Sequence, residues 1–104
     1  MLQITIHTRD DKRNELLRTC RLITDQTRLE GGCNSSRVSQ DNDNIIILEQ
    51  QWEERSFLDS YFRSDHFSAL LGAMKWLGRT YEIRINGGTQ EEGGDTVKHA
   101  REIY

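Results

Sequence analysis

The stretch IIILEQQW, residues 45–52, decides the fold. Its first four residues are all apolar, and a strand that is apolar on both sides is typical of the middle of a sheet, with both faces covered. The stretch continues through Trp52 as one strand. We therefore expect a central strand over residues 45–52, with the other strands arranged around it.

Four segments precede this strand. Residues 2–7 alternate between apolar and polar side chains, which is the pattern of a half-buried strand. From residue 12 to residue 27 apolar side chains recur at helical spacing, and Gly31-Gly32 ends that helix. Residues 33–40 are polar, so a second strand there is predicted from its context rather than from its propensity. Residues 41–44 have the composition of a turn.

Two helices and a further strand follow the central one. Side-chain pairs at helical spacing predict a short helix over residues 57–62, and another helix begins after Ser64, which can cap it. Residues 81–86 alternate and predict a fourth strand. The order βαββααβ predicts an α+β ferredoxin-like domain, with four antiparallel strands and the helices on one face. We expect residues 1–88 to form it, and residues 89–104 to form a C-terminal tail that packs on a partner or on the domain itself.

Helices on one face leave the other face of the sheet without cover. A second copy could supply that cover, since two such sheets can close into a barrel with an enclosed space in each protomer. Trp52 and several apolar strand residues are expected at or near this second face. We therefore predict a homodimer, with an antiparallel sheet that keeps one solvated face as the alternative.

The composition excludes several classes of function. The 104 residues make one domain with a net charge of −3, and neither a basic stripe nor an apolar run of membrane-spanning length occurs. Nucleic-acid and membrane roles are therefore disfavoured. Cys20 and Cys33 lack the spacing of a zinc motif and the three histidines are scattered, so we expect no metal or cofactor. The N-terminus lacks the apolar segment of a signal peptide, and we expect a cytoplasmic protein with reduced thiols.

Four groups of residues carry a family pattern. They are Gly31-Gly32-Cys33, the turn at residues 41–44, Leu48 to Glu53, and Arg63 to Phe67. In order and spacing they resemble the antibiotic biosynthesis monooxygenase family. Its members have a Gly-Cys after the first helix, an Asn that opens strand three, a Glu-x-x-Trp that ends it and a Ser-x-His-Phe that opens the last helix. The likeness covers residues 2–86.

The resemblance implies a dimeric α/β barrel and, for the characterised enzymes, oxidation of electron-rich aromatics by O2 without metal or flavin. A quinol or anthrone that loses a proton can itself reduce O2, so the protein need only bind the substrate, deprotonate it and exclude water. A non-catalytic protein that binds a small ligand on the same scaffold stays an alternative. Haem-degrading relatives have an axial histidine at the position of Leu71, so haem degradation by that mechanism is disfavoured.

Five residues are candidates for a site in the barrel cavity, with a small aromatic molecule as the expected ligand. His66 and His7 are candidate catalytic bases, because an unperturbed histidine, with a pKa of ~6.5, suits proton transfer near neutrality. Trp52 could contact a flat ligand, Ser36 could hydrogen-bond to it, and Arg84 could bind an anionic group. For four of them a structural role is the alternative: packing for Trp52, a helix-terminal or solvent-facing position for the histidines, and a surface ion pair for Arg84.

Overall fold

A computed structural model of the chain describes residues 1–42, 44–85, 92–93 and 101. Within these ranges the elements follow the predicted order, and the fold is α+β and ferredoxin-like, as expected. The strands are β1 (Leu2–Thr8), β2 (Cys33–Asp41), β3 (Ile45–Trp52), β4 (Gly78–Ile85) and the two-residue β5 (Glu92–Gly93), and the helices are α1 (Arg13–Thr27), α2 (Arg55–Phe62) and α3 (Asp65–Leu77).

The strands pair antiparallel in the order β2-β3-β1-β4-β5. β3 lies between β2 and β1, so its central position, predicted from its apolar residues, is confirmed. β1 and β3 pair from Leu2 opposite Gln50 to His7 opposite Ile45. Because alternate residues of a strand point to opposite faces, this register decides which side chains of both strands share a face.

The helices cover one face of the sheet, and the hydrophobic core lies between them and the strands. Burying this apolar surface is the main source of the stability of the domain. The apolar side chains that are at most 1% exposed come from β1, β3 and all three helices: Leu2, Ile4, Ile6, Leu16, Cys20, Ile46, Phe62, Phe67, Leu70 and Met74.

The other face of the sheet carries the alternate residues of the strands. Ile45 and Ile47 of β3 are half-buried there, and His7 of β1 is exposed. No helix of the described residues lies on this face. A second copy as its cover stays a prediction.

Trp52 does not lie on this uncovered face, and the expectation that placed it there is wrong. Along β3, residues 46, 48, 50 and 52 alternate with residues 45, 47, 49 and 51, so Trp52 points to the same side as the buried Ile46, Leu48 and Gln50. Its indole packs against Tyr61 of α2. The side chain is therefore part of the helix-covered side of the sheet.

The last helix passes into the last long strand without a loop. Gly78 caps α3, with its N–H donated to the carbonyl oxygen of Met74, and it is also the first residue of β4. A Cβ at Gly78 would lie 2.6 Å from that oxygen and 3.2 Å from the side chain of Ile6, so this close approach requires glycine. The strand begins three residues earlier than the predicted start at Tyr81.

Parts of the predicted tail are described. Glu92–Gly93 pairs with the end of β4 as β5. The guanidinium of Arg101 donates to the carbonyl oxygen of Phe62 at 2.6 Å and to the hydroxyl of Ser68 at 3.0 Å. The predicted domain boundary at residue 88, and most of the tail, lie outside the described residues.

No helix among the described residues is long and apolar enough to cross a membrane.

Candidate functional site

One end of the sheet brings together the end of α1, the start of β2, the end of β3 and the start of α3. The Gly31-Gly32 turn joins α1 to β2, and the Gly32 carbonyl accepts the N–H of Glu53, which directly follows β3, at 2.8 Å. Gly32 has a φ of +85°, and a Cβ there would overlap the ring of Phe57. Glycine at position 32 therefore lets the chain turn tightly where the candidate site is built.

Trp52 and Tyr61 form what we call the aromatic wall. Their ring centroids lie 4.9 Å apart with an interplanar angle of 33°. Tyr61 is buried and packs edge-on against Phe67, at 5.3 Å between centroids, whereas Trp52 is half-buried. A half-buried indole backed by a buried ring offers the kind of apolar surface on which a planar ligand can stack.

A chain of hydrogen bonds holds this wall. The indole of Trp52 can only donate, so its N–H, 3.1 Å from the side-chain oxygen of Gln50, fixes which way the Gln50 amide points. The amide nitrogen of Gln50 then donates to the hydroxyl oxygen of Tyr61 at 3.2 Å. Thr27 donates its proton to the carbonyl oxygen of Ile23 at 2.7 Å, so across the 3.5 Å between Thr27 and Tyr61 the tyrosine is the donor. These hydrogen bonds hold the rings of Trp52 and Tyr61 each in one orientation.

The hydroxyl of Tyr61 serves as a hydrogen-bonding group rather than as a base. Burial raises the pKa of Tyr61, and the hydrogen bond accepted from Gln50 opposes that rise only in part. The group is therefore a neutral phenol near neutral pH. Glu30 lies one turn beyond Thr27, since its N–H donates to the carbonyl oxygen of Thr27 at 3.0 Å, and the Thr27 hydroxyl contacts that of Tyr61.

His66 lies at the start of α3 and contacts Glu30, which follows α1. The distance from its Nδ1 to the Oε1 of Glu30 is 2.7 Å, and the two side chains are 40% and 32% exposed. The carbonyl oxygen of Glu30 accepts the N–H of Cys33, which pairs with Trp52 in the sheet, so the His66–Glu30 pair lies at the same end of the sheet as the aromatic wall. Of the predicted site residues, the structure thus brings His66 and Trp52 to the same end of the sheet.

Ser36 lies behind the wall, on the helix-covered face. It is 3% exposed and sits opposite Gln50 in the pairing of β2 with β3, and its hydroxyl has no hydrogen-bond partner among the described residues. Arg28 of the α1 end donates to its backbone carbonyl at 2.7 Å. Nearby, burial raises the pKa of the Cys33 thiol, so Cys33 is a neutral thiol rather than a reactive thiolate near pH 7.

His7 and Arg84 are not at this site. His7 is exposed on the uncovered face of the sheet, at the opposite end of β1, where it pairs with Ile45 and Thr80. Arg84 points to the same uncovered face from β4, and its guanidinium lies 3.3 Å from the carboxylate of Glu82. The structure therefore separates His7 from His66, although both are candidate bases.

The described residues contain no group of three or more His, Cys, Asp or Glu side chains arranged to hold a metal ion. An open, charged depression of about 720 Å³ lies at the far end of the sheet, and its lining is Arg9, Asp10, Asp11, Lys75, Gly78 and Arg79. Charged walls do not suit a flat apolar ligand. The expectation that no cofactor is bound stays a prediction.

Sequence reasoning missed Glu30, Gln50 and Tyr61. Gln50 could have been found from alternation, since it shares a face with Leu48 and is buried beside it. A buried amide needs partners, which would have pointed to a hydrogen-bonded neighbour. Tyr61 belongs to a helical pattern of apolar residues, which indicated that it packs in the core but did not indicate its hydrogen bonds. The contact between Glu30 and His66 spans 36 positions and has no signal in the sequence.

Tyr61→Phe tests the hydrogen-bond chain. It removes the hydroxyl, so the buried amide nitrogen of Gln50 loses its acceptor and the hydroxyl oxygen of Thr27 loses its donor. We expect the free energy of unfolding to fall by about 1–3 kcal/mol, measured by urea denaturation. Tyr81→Phe is the matched control, since Tyr81 is only half-buried, and a change below about 0.5 kcal/mol is expected there. Equal losses of stability in both variants would contradict a special role for this chain of hydrogen bonds.

Comparisons with known proteins give a family and a fold. Residues 1–72 match the family model described as antibiotic biosynthesis monooxygenase. No curated protein matches the chain significantly. Among solved structures, Rv0793 from Mycobacterium tuberculosis is 21% identical, with 86% of this chain and 93% of that chain covered and a TM-score of 0.77.

Two further solved structures are similar. A candidate antibiotic biosynthesis monooxygenase from Deinococcus radiodurans is 18% identical, with 86% of this chain and 92% of that chain covered and a TM-score of 0.77. A conserved protein from Methanosarcina mazei Go1 is 25% identical, with 79% of this chain and 84% of that chain covered and a TM-score of 0.72. These likenesses agree with the ferredoxin-like fold.

Proposed function

The chain belongs to the antibiotic biosynthesis monooxygenase family, and from that membership we propose that it is a cofactor-independent monooxygenase. Its substrate would be a small, electron-rich aromatic of the quinol or anthrone type, oxidised by O2. The family name supports a monooxygenase-like role. The class of substrate is the one that the resemblance to this family implies, and Trp52 and His66 are the residues that would bind it and take its proton.

The observation that carries the proposal is an imidazole at the same end of the sheet as an aromatic wall. Trp52 presents a half-buried indole for stacking, and His66 stands at the same end of the sheet with one ring nitrogen engaged by Glu30. The proposal requires that a flat substrate bound against Trp52 extends to His66 and offers an acidic C–H or O–H to the other ring nitrogen. A positioned base of this kind is what the proposed reaction needs from the protein.

The reaction balances without an added reductant. For an anthrone, His66 takes a proton from the CH2 carbon, and the carbanion gives one electron to O2. The radical pair then combines in a C–O bond, and the protonated His66 returns its proton to the resulting peroxide anion, which becomes a hydroperoxide. Loss of the second C–H proton breaks the O–O bond and releases water. One oxygen atom ends in the new carbonyl and the other in water, and the CH2 carbon supplies all four electrons.

Oxygen uptake separates this proposal from ligand binding alone. With 1,8-dihydroxyanthrone and a metal chelator present, the protein should consume O2 faster than a protein-free blank. A non-catalytic binder on the same scaffold would raise the melting temperature with this compound and leave O2 uptake at the blank rate. That second result would overturn the enzymatic proposal.

We also propose that the uncovered face of the sheet binds a second copy of the chain. Ile45 and Ile47 give this face an apolar centre, and a specific interface buries more than about 1,000 Å². Sedimentation at tens of micromolar should give twice the 12.2 kDa mass of one chain. Ile47→Lys should yield monomer, whereas Leu22→Lys, on the exposed side of α1, should leave the dimer intact. A wild-type protein that sediments only as monomer would rule the dimer out.

A further inference from the structure

We propose that Glu30 is a positioning residue for His66, and that it fixes which ring nitrogen can accept the substrate proton. This inference rests on the proposed function, because it assigns a role within that reaction. It is carried by the contact of 2.7 Å between the Oε1 of Glu30 and the Nδ1 of His66.

The backbone on both sides of this contact is held firmly. The N–H of Glu30 donates to the carbonyl oxygen of Thr27 at 3.0 Å, and its own carbonyl oxygen accepts the N–H of Cys33 at 3.2 Å. On the other side, Ser64 caps α3 by accepting the N–H of Phe67 at 3.1 Å. Hydrogen bonds therefore fix the backbone that carries the carboxylate and the imidazole, at the point where the turn after α1 meets the start of α3.

The chemistry of the two groups dictates where the proton lies. An ionised carboxylate can only accept a hydrogen bond, so Nδ1 of His66 carries the hydrogen that joins them. The neutral ring then has its lone pair on Nε2, which has no hydrogen-bond partner among the described residues. Nε2 is accordingly the atom that can take a proton from a substrate, and Glu30 stabilises the imidazolium that forms.

Other charged groups near the pair do not replace Glu30. Arg28, two residues before Glu30, has its guanidinium 2.8 Å from the carboxylate of Asp25. It also donates to the backbone carbonyl oxygen of Ser36. Arg63 and Asp65 are neighbours of His66 in the chain. Among the described residues, Glu30 is the one carboxylate in contact with the imidazole of His66.

Glu30→Gln is the decisive variant. The glutamine side chain can donate as well as accept, so it permits the hydrogen on either ring nitrogen of His66. We expect the kcat for O2 uptake with 1,8-dihydroxyanthrone to fall about 10–100-fold, as when the group that orients a reactive imidazole is lost. KM should change little, because a residue that acts through His66 affects the proton-transfer step rather than substrate binding. Glu30→Asp, which keeps the acceptor, should recover part of the rate.

A second measurement reads the tautomer without any substrate. Two-dimensional ¹H–¹⁵N NMR of the histidine ring should show hydrogen on Nδ1 of His66 in the wild-type protein and a mixture of tautomers in Glu30→Gln. Asp25→Asn is the matched control, because it removes a carboxylate near the same end of α1 that pairs with Arg28. It should leave both kcat and the His66 spectrum unchanged.

The two measurements test the proposed function and the role of Glu30 separately. A wild-type protein that takes up no O2 would overturn the proposed function. An unchanged His66 spectrum, or an unchanged kcat, in Glu30→Gln would overturn the role of Glu30 even if the protein is an oxygenase.

Discussion

His66→Ala should lower the turnover number for an anthrone about 10²–10⁴-fold. A positioned base contributes about that much to a rate, which corresponds to roughly 3–5 kcal/mol of the activation barrier. The expectation follows from the position of His66, whose imidazole lies at the same end of the sheet as the aromatic wall, with Nδ1 in contact with Glu30. The measurement is initial O2 uptake per folded molecule, with the melting temperature determined on the same samples.

The control for this variant is His7→Ala. His7 is the other candidate base, and it lies on the uncovered face at the opposite end of β1, so its loss should leave turnover unchanged. Trp52→Phe keeps an aromatic ring and should weaken substrate binding only modestly. If His66→Ala keeps the wild-type specific activity, His66 is not the base and His7 becomes the candidate. A lower melting temperature with unchanged activity would give His66 a purely structural role.

Phe67→Ala should lower the free energy of unfolding by about 3–5 kcal/mol. The side chain is fully buried, with its ring centroid 5.1 Å from that of Phe62 and 5.3 Å from that of Tyr61. Alanine would leave a cavity beneath the aromatic wall. Since a domain of this size is stable by about 5–15 kcal/mol, the loss should be visible in urea or thermal denaturation.

Phe57→Ala is the matched control for that variant. Phe57 is 37% exposed, so its truncation should cost about 1 kcal/mol. Similar losses in both variants would mean that the cluster around Phe67 is not the core of the domain.

The order of elements could be predicted from the sequence because each carries its own period of apolar residues. The patterns of residues 2–7 and 45–48 each predict a strand, and these two strands pair in the structure. The face of Trp52 was predicted wrongly because four apolar residues in a row, 45–48, hide which side of β3 is the inner one. Only the register in which β3 pairs with its neighbouring strands shows which side is the inner one. The start of β4 at Gly78 was missed because α3 runs directly into the strand.

The candidate site could be predicted only in part. His66 and Trp52 stand out in the sequence, since each is a residue type with chemistry or a large apolar surface in a recognisable family pattern. Their partners depend on how distant elements pack. Glu30 meets His66 because the end of α1 lies beside the start of α3, and Gln50 meets Tyr61 because α2 returns over β3. Spacing along the chain carries no trace of such contacts.

Isotope labelling tests the proposed oxygenase activity most directly. Chelator-treated protein is mixed with 1,8-dihydroxyanthrone under ¹⁸O2, and the quinone product is analysed by mass spectrometry against a protein-free blank. The proposal predicts one ¹⁸O atom in each quinone, one O2 consumed per product, and a rate proportional to the amount of folded protein. Product formation no faster than in the blank, with only a rise in melting temperature on adding the anthrone, would contradict it.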